Sequence, residues 1–392
     1  MGGTIRSLLL ICLLLLTLTG CWDYQSLNEL TIVAGVAVDQ GEGGQGVALT
    51  FEILDLNAEN AQQPGSLLLT TTGDTIAEAV YDAYAKLHNN LYFGSAQVIL
   101  VSRAVAEQEG IRPLLDFLIR EENVRDSLRM VVAATDTAAE LLRPGEERGA
   151  EEHRLIFSVA LNEGLSRSRQ GRHPAADAKA AYEIRHILTA NTTNLTLPII
   201  APAQTDDRPF QLDGMALFTG DRMTGTLDQA DMPAYLLGAA GLGDWAFSVE
   251  VTTPDGGTGR VILANRRSRP RLTFIRAGDG LAFHLDISMT ADIAQLPPDW
   301  GTLDQTALRR MEQTAGGELS RQVLELIHRQ REAGYDIIGM AETVQSFAPR
   351  LWNEINQDWE RLLQESEVTT QVHVRIQNTG MVGGQSGVRH GQ

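Results

Sequence analysis

Cysteine is almost missing from this chain: two occur in 392 residues, Cys12 and Cys21. Both fall within the first 21 positions. Everything after them lacks a thiol for disulfides, thiolate metal sites or nucleophilic catalysis. Lysine is equally scarce, with only Lys86 and Lys179, so arginine carries nearly all the positive charge. Positive charge itself is in deficit, and the formal net charge is -18. An acidic body is repelled by phosphate backbones and anionic headgroups. That argues against nucleic acid as a partner and against a broad face lying on a membrane; no basic patch is expected. Beyond Leu8–Leu16 no apolar run approaches spanning length, and internal repeats are absent.

Catalytic patterns are lacking too. The eight histidines are scattered, and neither HExxH, GxSxG nor a Cys/His ligand spacing occurs. Gly41-Glu42-Gly43-Gly44 has no P-loop lysine and leads into a strand pattern. Glu151-Glu152-His153 reads as a solvated charge cluster, and Arg167, Arg169 and Arg172 as a solvated loop or helix end. Asn191-Thr192-Thr193 and Asn194-Leu195-Thr196 match glycosylation sequons, to which no role is assigned. No catalytic residue, metal ligand or cofactor is expected.

What is present begins with an export signal. Arg6 precedes the apolar stretch Leu8–Leu16, and small residues follow, as in a secretory signal peptide. The stretch is shorter than the roughly 20 residues a spanning helix needs. Leu18-Thr19-Gly20-Cys21 matches the lipobox of bacterial lipoproteins. There a thiol receives diacylglycerol before cleavage just ahead of it. The expectation is a signal peptide at 1–20 and lipidation at Cys21. Loss of Arg6 with the signal leaves a mature charge of -19. About 370 residues remain, ample for a core without disulfides.

The mature chain mixes both hydrophobic periods. Thr31–Val38 is an apolar strand pattern. Val47, Leu49, Phe51 and Ile53 alternate with Thr50 and Glu52 as in a half-buried strand, and the glycine-rich turn between the two runs predicts a hairpin. Thr75 and Glu78 have capping-box spacing ahead of a helix carrying Ile76, Ala79, Val80, Ala83 and Leu87. Strands follow at Gln97–Val101 and Leu128–Ala134, with helices around Leu114–Leu118 and Ala138–Leu142. Residues 143–180 are charged and interrupted, and Pro198–Pro209 reads as a domain boundary. The second half predicts a hairpin from Gln211–Phe218 and Thr224–Leu227. Strands are expected at Trp245–Val251, Arg260–Leu263 and Leu281–Met289. A long helix from near Leu303 contains Gly316-Gly317, each costing about 1 kcal/mol of helix stability relative to alanine. A single helix, Leu351–Leu363, places Trp352, Ile355, Trp359 and Leu362 on one core-facing side. An alternating strand, Thr370–Ile376, closes the fold.

The fold class is therefore α+β, mixed sheets with flanking helices in two or three domains. The expected division is an N-terminal region at 21–205, which may subdivide near 143–180, a C-terminal domain at 206–378 and a disordered tail at 379–392.

Several segments resemble a known family in order. They are Cys21-Trp22-Asp23, Leu27-Asn28-Glu29-Leu30 and Val33–Asp39. Leu91-Tyr92-Phe93-Gly94 and Gly214–Phe218 leading into Thr224–Leu227 come next. Tyr335–Met340, Leu351-Trp352 with Trp359, and Thr379-Gly380 complete the set. Together with the lipobox they resemble the Ger(x)C family of spore-germination lipoproteins. Ser95 stands where that family often has histidine, and Tyr24 where arginine often follows Cys-Trp-Asp. The resemblance implies the C subunit of a nutrient germinant receptor, acting with two integral-membrane subunits. It would sit on the outer surface of the plasma membrane, which is the spore's inner membrane. It implies a binding and assembly module, not an enzyme, and transfers no germinant-contacting residue. The alternative is the extracytoplasmic solute-binding lipoprotein of a transporter, which predicts two similar lobes around a cleft; a lipid-anchored hydrolase would need an activated nucleophile or metal.

Overall fold

The computed structural model describes residues 30–378 apart from 56–64, 88, 122, 144–155, 168–177, 191–193, 204–209, 241–245, 253–256, 279 and 297–304. The signal segment, Cys21, Arg169, Arg172, the 151–153 cluster and the tail from 379 lie outside the described residues.

The first unit runs β1 (Leu30–Gln40), β2 (Val47–Asp55), β3 (Gly65–Gly73), α1 (Ile76–Leu87), β4 (Asn90–Tyr92), β5 (Val98–Val101), α2 (Arg112–Arg120) and β6 (Arg129–Ala133). It continues through α3 (Ala139–Leu142), α4 (Phe157–Arg167), α5 (Ala181–Ala190), β7 (Thr196–Pro202), β8 (Phe210–Thr219) and β9 (Arg222–Leu227). Its sheet has nine strands in the order β3-β2-β1-β5-β6-β7-β8-β9, with β4 also beside β1. The centre, β1 through β7, is parallel, and both margins are antiparallel.

Side-chain alternation explains why the central strands are uniformly apolar. Ile99 and Val101 of β5 face the layer containing α1 and α2, while Val98 and Leu100 face α3 and α4. Parallel strands covered on both sides need no polar face. Helix α1 begins as its capping box predicts: the Glu78 backbone N–H donates to Thr75 Oγ1 at 3.2 Å, and the Thr75 N–H donates to Glu78 Oε2 at 3.3 Å.

The second unit comprises α6 (Met232–Tyr235), β10 (Ala246–Thr252), β11 (Thr258–Ala277), β12 (Gly280–Gln295), α7 (Gln305–Glu332), α8 (Met340–Phe347), α9 (Pro349–Ile355), α10 (Trp359–Glu365) and β13 (Glu367–Asn378). Its four strands follow the order β10-β11-β12-β13, antiparallel except for the last pair. The helices gather on one face over Phe247, Phe283, Ile287, Val372 and Ile376.

Helix α7 also closes the outer edge of β13. The backbone N–H of Val372 donates to Ser320 Oγ at 2.8 Å, and that of Ile376 donates to Glu312 Oε1 at 2.8 Å. Those side chains and Gly316 lie four residues apart, so one helix stripe faces the strand. A Cβ on Gly316 would sit 2.5 Å from the Val372 carbonyl oxygen. Glycine allows this approach, and satisfied edge groups cannot recruit another strand.

Several sequence expectations change. Thr50 and Glu52 are buried, so β2 has two covered faces. Helix α4 occupies part of the stretch expected to be interrupted, burying Phe157, Leu161 and Leu165 at a spacing of four. Pro198 and Pro202 flank Ile199 and Ile200, the two residues through which β7 pairs with β6. The division at 205/206 falls between β7 and β8, which pair antiparallel; the change of sheet comes between Leu227 and Ala246. The expected helix 351–363 is two helices separated by a 3-10 turn at Asn356–Asp358. Its tryptophans still meet edge-on, ring centroids 5.3 Å apart; Trp352 is buried and Trp359 packs partly buried against the same core.

Candidate functional site at the joint of the two sheets

Three of the sequence segments singled out above converge where the units meet. Met215 and Leu217 of β8 and Leu227 of β9 pack with Met232, Tyr235 and Leu236, and these close on Leu326 of α7 and Ile337. Strand alternation aims Met215 and Leu217 at the second unit, while Ala216 and Phe218 enter the first core.

Polar contacts fix the joint. Asn194, just ahead of β7, donates from Nδ2 to the Phe218 carbonyl oxygen at 2.9 Å. Its Oδ1 accepts from the Asp336 backbone N–H at 2.7 Å, so one amide ties the first sheet to the loop after α7. The Tyr335 hydroxyl donates to Thr224 Oγ1 at 3.0 Å. A Cβ on Gly225 would lie 2.7 Å from the Tyr335 hydroxyl, so a larger residue there would displace the tyrosine tip. Arg329 of α7 pairs with Asp231 at the start of α6.

Asp336 turns the chain into α8. Its carboxylate accepts the Met340 and Ala341 N–H groups, each at 2.8 Å, satisfying donors that a helix start leaves free. Gly339 provides the left-handed turn between them, with φ of 75°. Burial pushes the Asp336 carboxyl above the ordinary carboxylate range, while the backbone N–H groups pull the other way.

Two further buried carboxylates do the same work in the first unit. Asp39, at the end of β1, accepts Ala138 N–H at 2.6 Å and Ala139 N–H at 3.0 Å, holding α3. Burial again raises its pKa, against those N–H groups and Ser102. Glu52 accepts Phe157 and Ser158 N–H groups at 2.7 and 2.9 Å, holding α4. A Cβ on Gly35 would strike the Ser158 side chain, so this glycine lets α4 approach β1.

The segments that carry the resemblance are thus largely fold-holding residues. Each of the three carboxylates is spent on a helix terminus. Among the described residues no group of three or more His, Cys, Asp or Glu is placed to hold a metal ion. No helix among them is long and apolar enough to cross a membrane. The joint couples the two units. Cys21, the one sequence-predicted site residue, lies outside the described residues. Sequence reading missed Asn194, taken as a sequon, and Glu52, assigned to a polar strand face. Their only signature is a polar residue inside or beside an otherwise apolar run.

Comparison with known proteins agrees with this architecture. A family model described as a spore germination protein N-terminal domain matches residues 23–152, and one described as spore germination B3/GerAC like, C-terminal, matches 213–380. Spore germination protein YndF of Bacillus subtilis (strain 168) is 22% identical over 96% of this chain and 97% of its own length. Spore germination protein B3 of the same organism is 21% identical over 94% of this chain and 96% of its own, and spore germination protein KC is 22% identical over 96% and 97%. The crystal structure of the GerBC protein superposes with a TM-score of 0.53 at 15% identity, covering 90% of this chain and 99% of that one. Two domain models in order, relatives matched nearly end to end and a shared fold place the chain in one group: it belongs to the GerAC family of spore germination proteins.

Proposed function

We propose that this chain is the lipid-anchored C subunit of a nutrient germinant receptor, held by Cys21 at the outer surface of the spore's inner membrane. There it is a non-enzymatic module that binds and positions two integral-membrane subunits. The observation that supports this most is the pair of family domains in order along nearly the whole chain. The apolar, hydrogen-bonded joint fits that role, because it ties the two units together. The two sheets differ in strand number and order, which favours this reading over a solute-binding protein with two similar lobes.

Co-purification is the test. Tagged chain extracted in mild detergent from spore inner membranes should bring down two multispanning proteins. Recovery of a transporter permease and ATPase instead would replace the reading with the solute-binding one.

A further inference from the structure

The open face of the second sheet contradicts the expectation that an acidic chain has no basic patch. Residues 266–271 read Arg-Arg-Ser-Arg-Pro-Arg, and β11 carries them in extended form. Arg267, Arg269 and Arg271 point away from the helices, as do Thr273 and Ile275, while Leu272 and Phe274 pack into the core. Register extends the pattern across three strands. Arg267 aligns with Thr290 and Arg375, Arg269 with Ser288 and His373, and Arg271 with Asp286 and Gln371. Next come Thr273, His284 and Thr369, then Ile275, Ala282 and Glu367.

The charges there are unequally matched. Asp292 is held by Arg266 at 2.7 Å, and Asp286 lies 3.1 Å from His373. Glu367 ends the far row. Arg267, Arg269, Arg271 and Arg375 are exposed and have no ion-pair partner among the described residues. Outward side chains on one strand recur about every 7 Å, so the three β11 arginines form a straight row. No described element covers this face.

We propose that this arginine face docks on an anionic phospholipid surface, setting the orientation of the C-terminal unit on the membrane. Charge complementarity carries the assignment. Four free guanidiniums suit phosphate groups, which they can bind in a fork. The face also lacks the aromatic and apolar core of a protein–protein interface. Its one large exposed apolar side chain, Ile275, is 68% exposed and stands towards the hairpin end of the row. The net charge of -18 does not prevent docking, because acidic groups beyond a Debye length of about 10 Å are screened. The proposal rests on the membrane reading only for where the chain resides.

The test uses the chain from Trp22 onward, which keeps every described residue and lacks Cys21. At an ionic strength of about 0.1 M it should bind phosphatidylglycerol vesicles and ignore phosphatidylcholine vesicles. Arg267→Gln, Arg269→Gln and Arg271→Gln together should weaken binding about a hundredfold, roughly fivefold per arginine. The unfolding midpoint of this variant should match that of the unsubstituted chain. Arg309→Gln, Arg310→Gln and Arg350→Gln together remove the same charge from exposed helix positions and should leave binding nearly intact. Equal loss in both triples, equal binding to both lipids, or no vesicle binding would overturn the proposal. Capture of polyglutamate without vesicle binding would overturn it in favour of an acidic protein surface. Because this chain carries no anchor, failure here leaves the lipidation reading standing.

Discussion

A methyl group added to Gly316 would sit 2.5 Å from the Val372 carbonyl oxygen, whereas one added to Gly317 meets nothing within 4 Å. Helix propensity treats the two alike, and from sequence both are simply weak points in a long helix. Packing separates them. Gly316→Ala should destabilise the protein by about 1–3 kcal/mol through overpacking against β13. Gly317→Ala, on the exposed face, should stabilise it by about 0.5–1 kcal/mol. Denaturant unfolding of the two variants reads both signs; stabilisation by both would show that α7 does not press on the strand edge. The same limit applies to Asp39. It stands at the end of an apolar run, but the helix start it caps lies 99 residues away and only folding joins them, whereas Asp336 caps a start four residues on.

Elements were legible where one physical rule governed them. The capping box set α1, alternation set β13, and continuous apolar runs set β5 and β6. Where rules conflicted, reading failed. Strand β11 extends from Thr258 to Ala277, yet Pro270 and the arginines argue against a strand beyond Leu263. Proline is tolerated there because the pairing of β10 ends at Ala264, leaving that edge of β11 without a strand partner among the described residues. Helix α8 illustrates a start that depends on a buried carboxyl group. Asp336→Asn keeps one acceptor but turns the other position into a donor facing an N–H group, costing about 1–3 kcal/mol at pH 7. Because burial raises the folded-state pKa of Asp336, its contribution is fully present below the unfolded value of 3.8 and is lost as pH rises through the folded value. The stability advantage of the wild type over Asp336→Asn should therefore widen as pH falls towards 4. Urea unfolding at several pH values measures it, and a gap that is constant or narrows on acidification would contradict the assigned direction.

At the scale of the molecule, two units with separate cores are tied by Asn194, Tyr335 and the apolar joint around Leu217 and Ile337. The class and the family were readable before the fold. The place where the chain changes sheet was not, because proline and polar residues at 198–209 look like a linker while β7 and β8 pair across them. The basic face was hidden for another reason: net charge averages over a surface that register makes uneven. The central claim is that such a body is held at the membrane by lipid on Cys21. Acyl chains contribute about 0.8 kcal/mol per buried methylene, enough for two chains to anchor stably where peripheral contacts alone would not. Fractionation of spores carrying Cys21→Ala tests this most directly. The account predicts a folded protein lost from the inner-membrane fraction after a high-salt wash that screens the arginine face, and undiminished retention of that variant through the wash would contradict it.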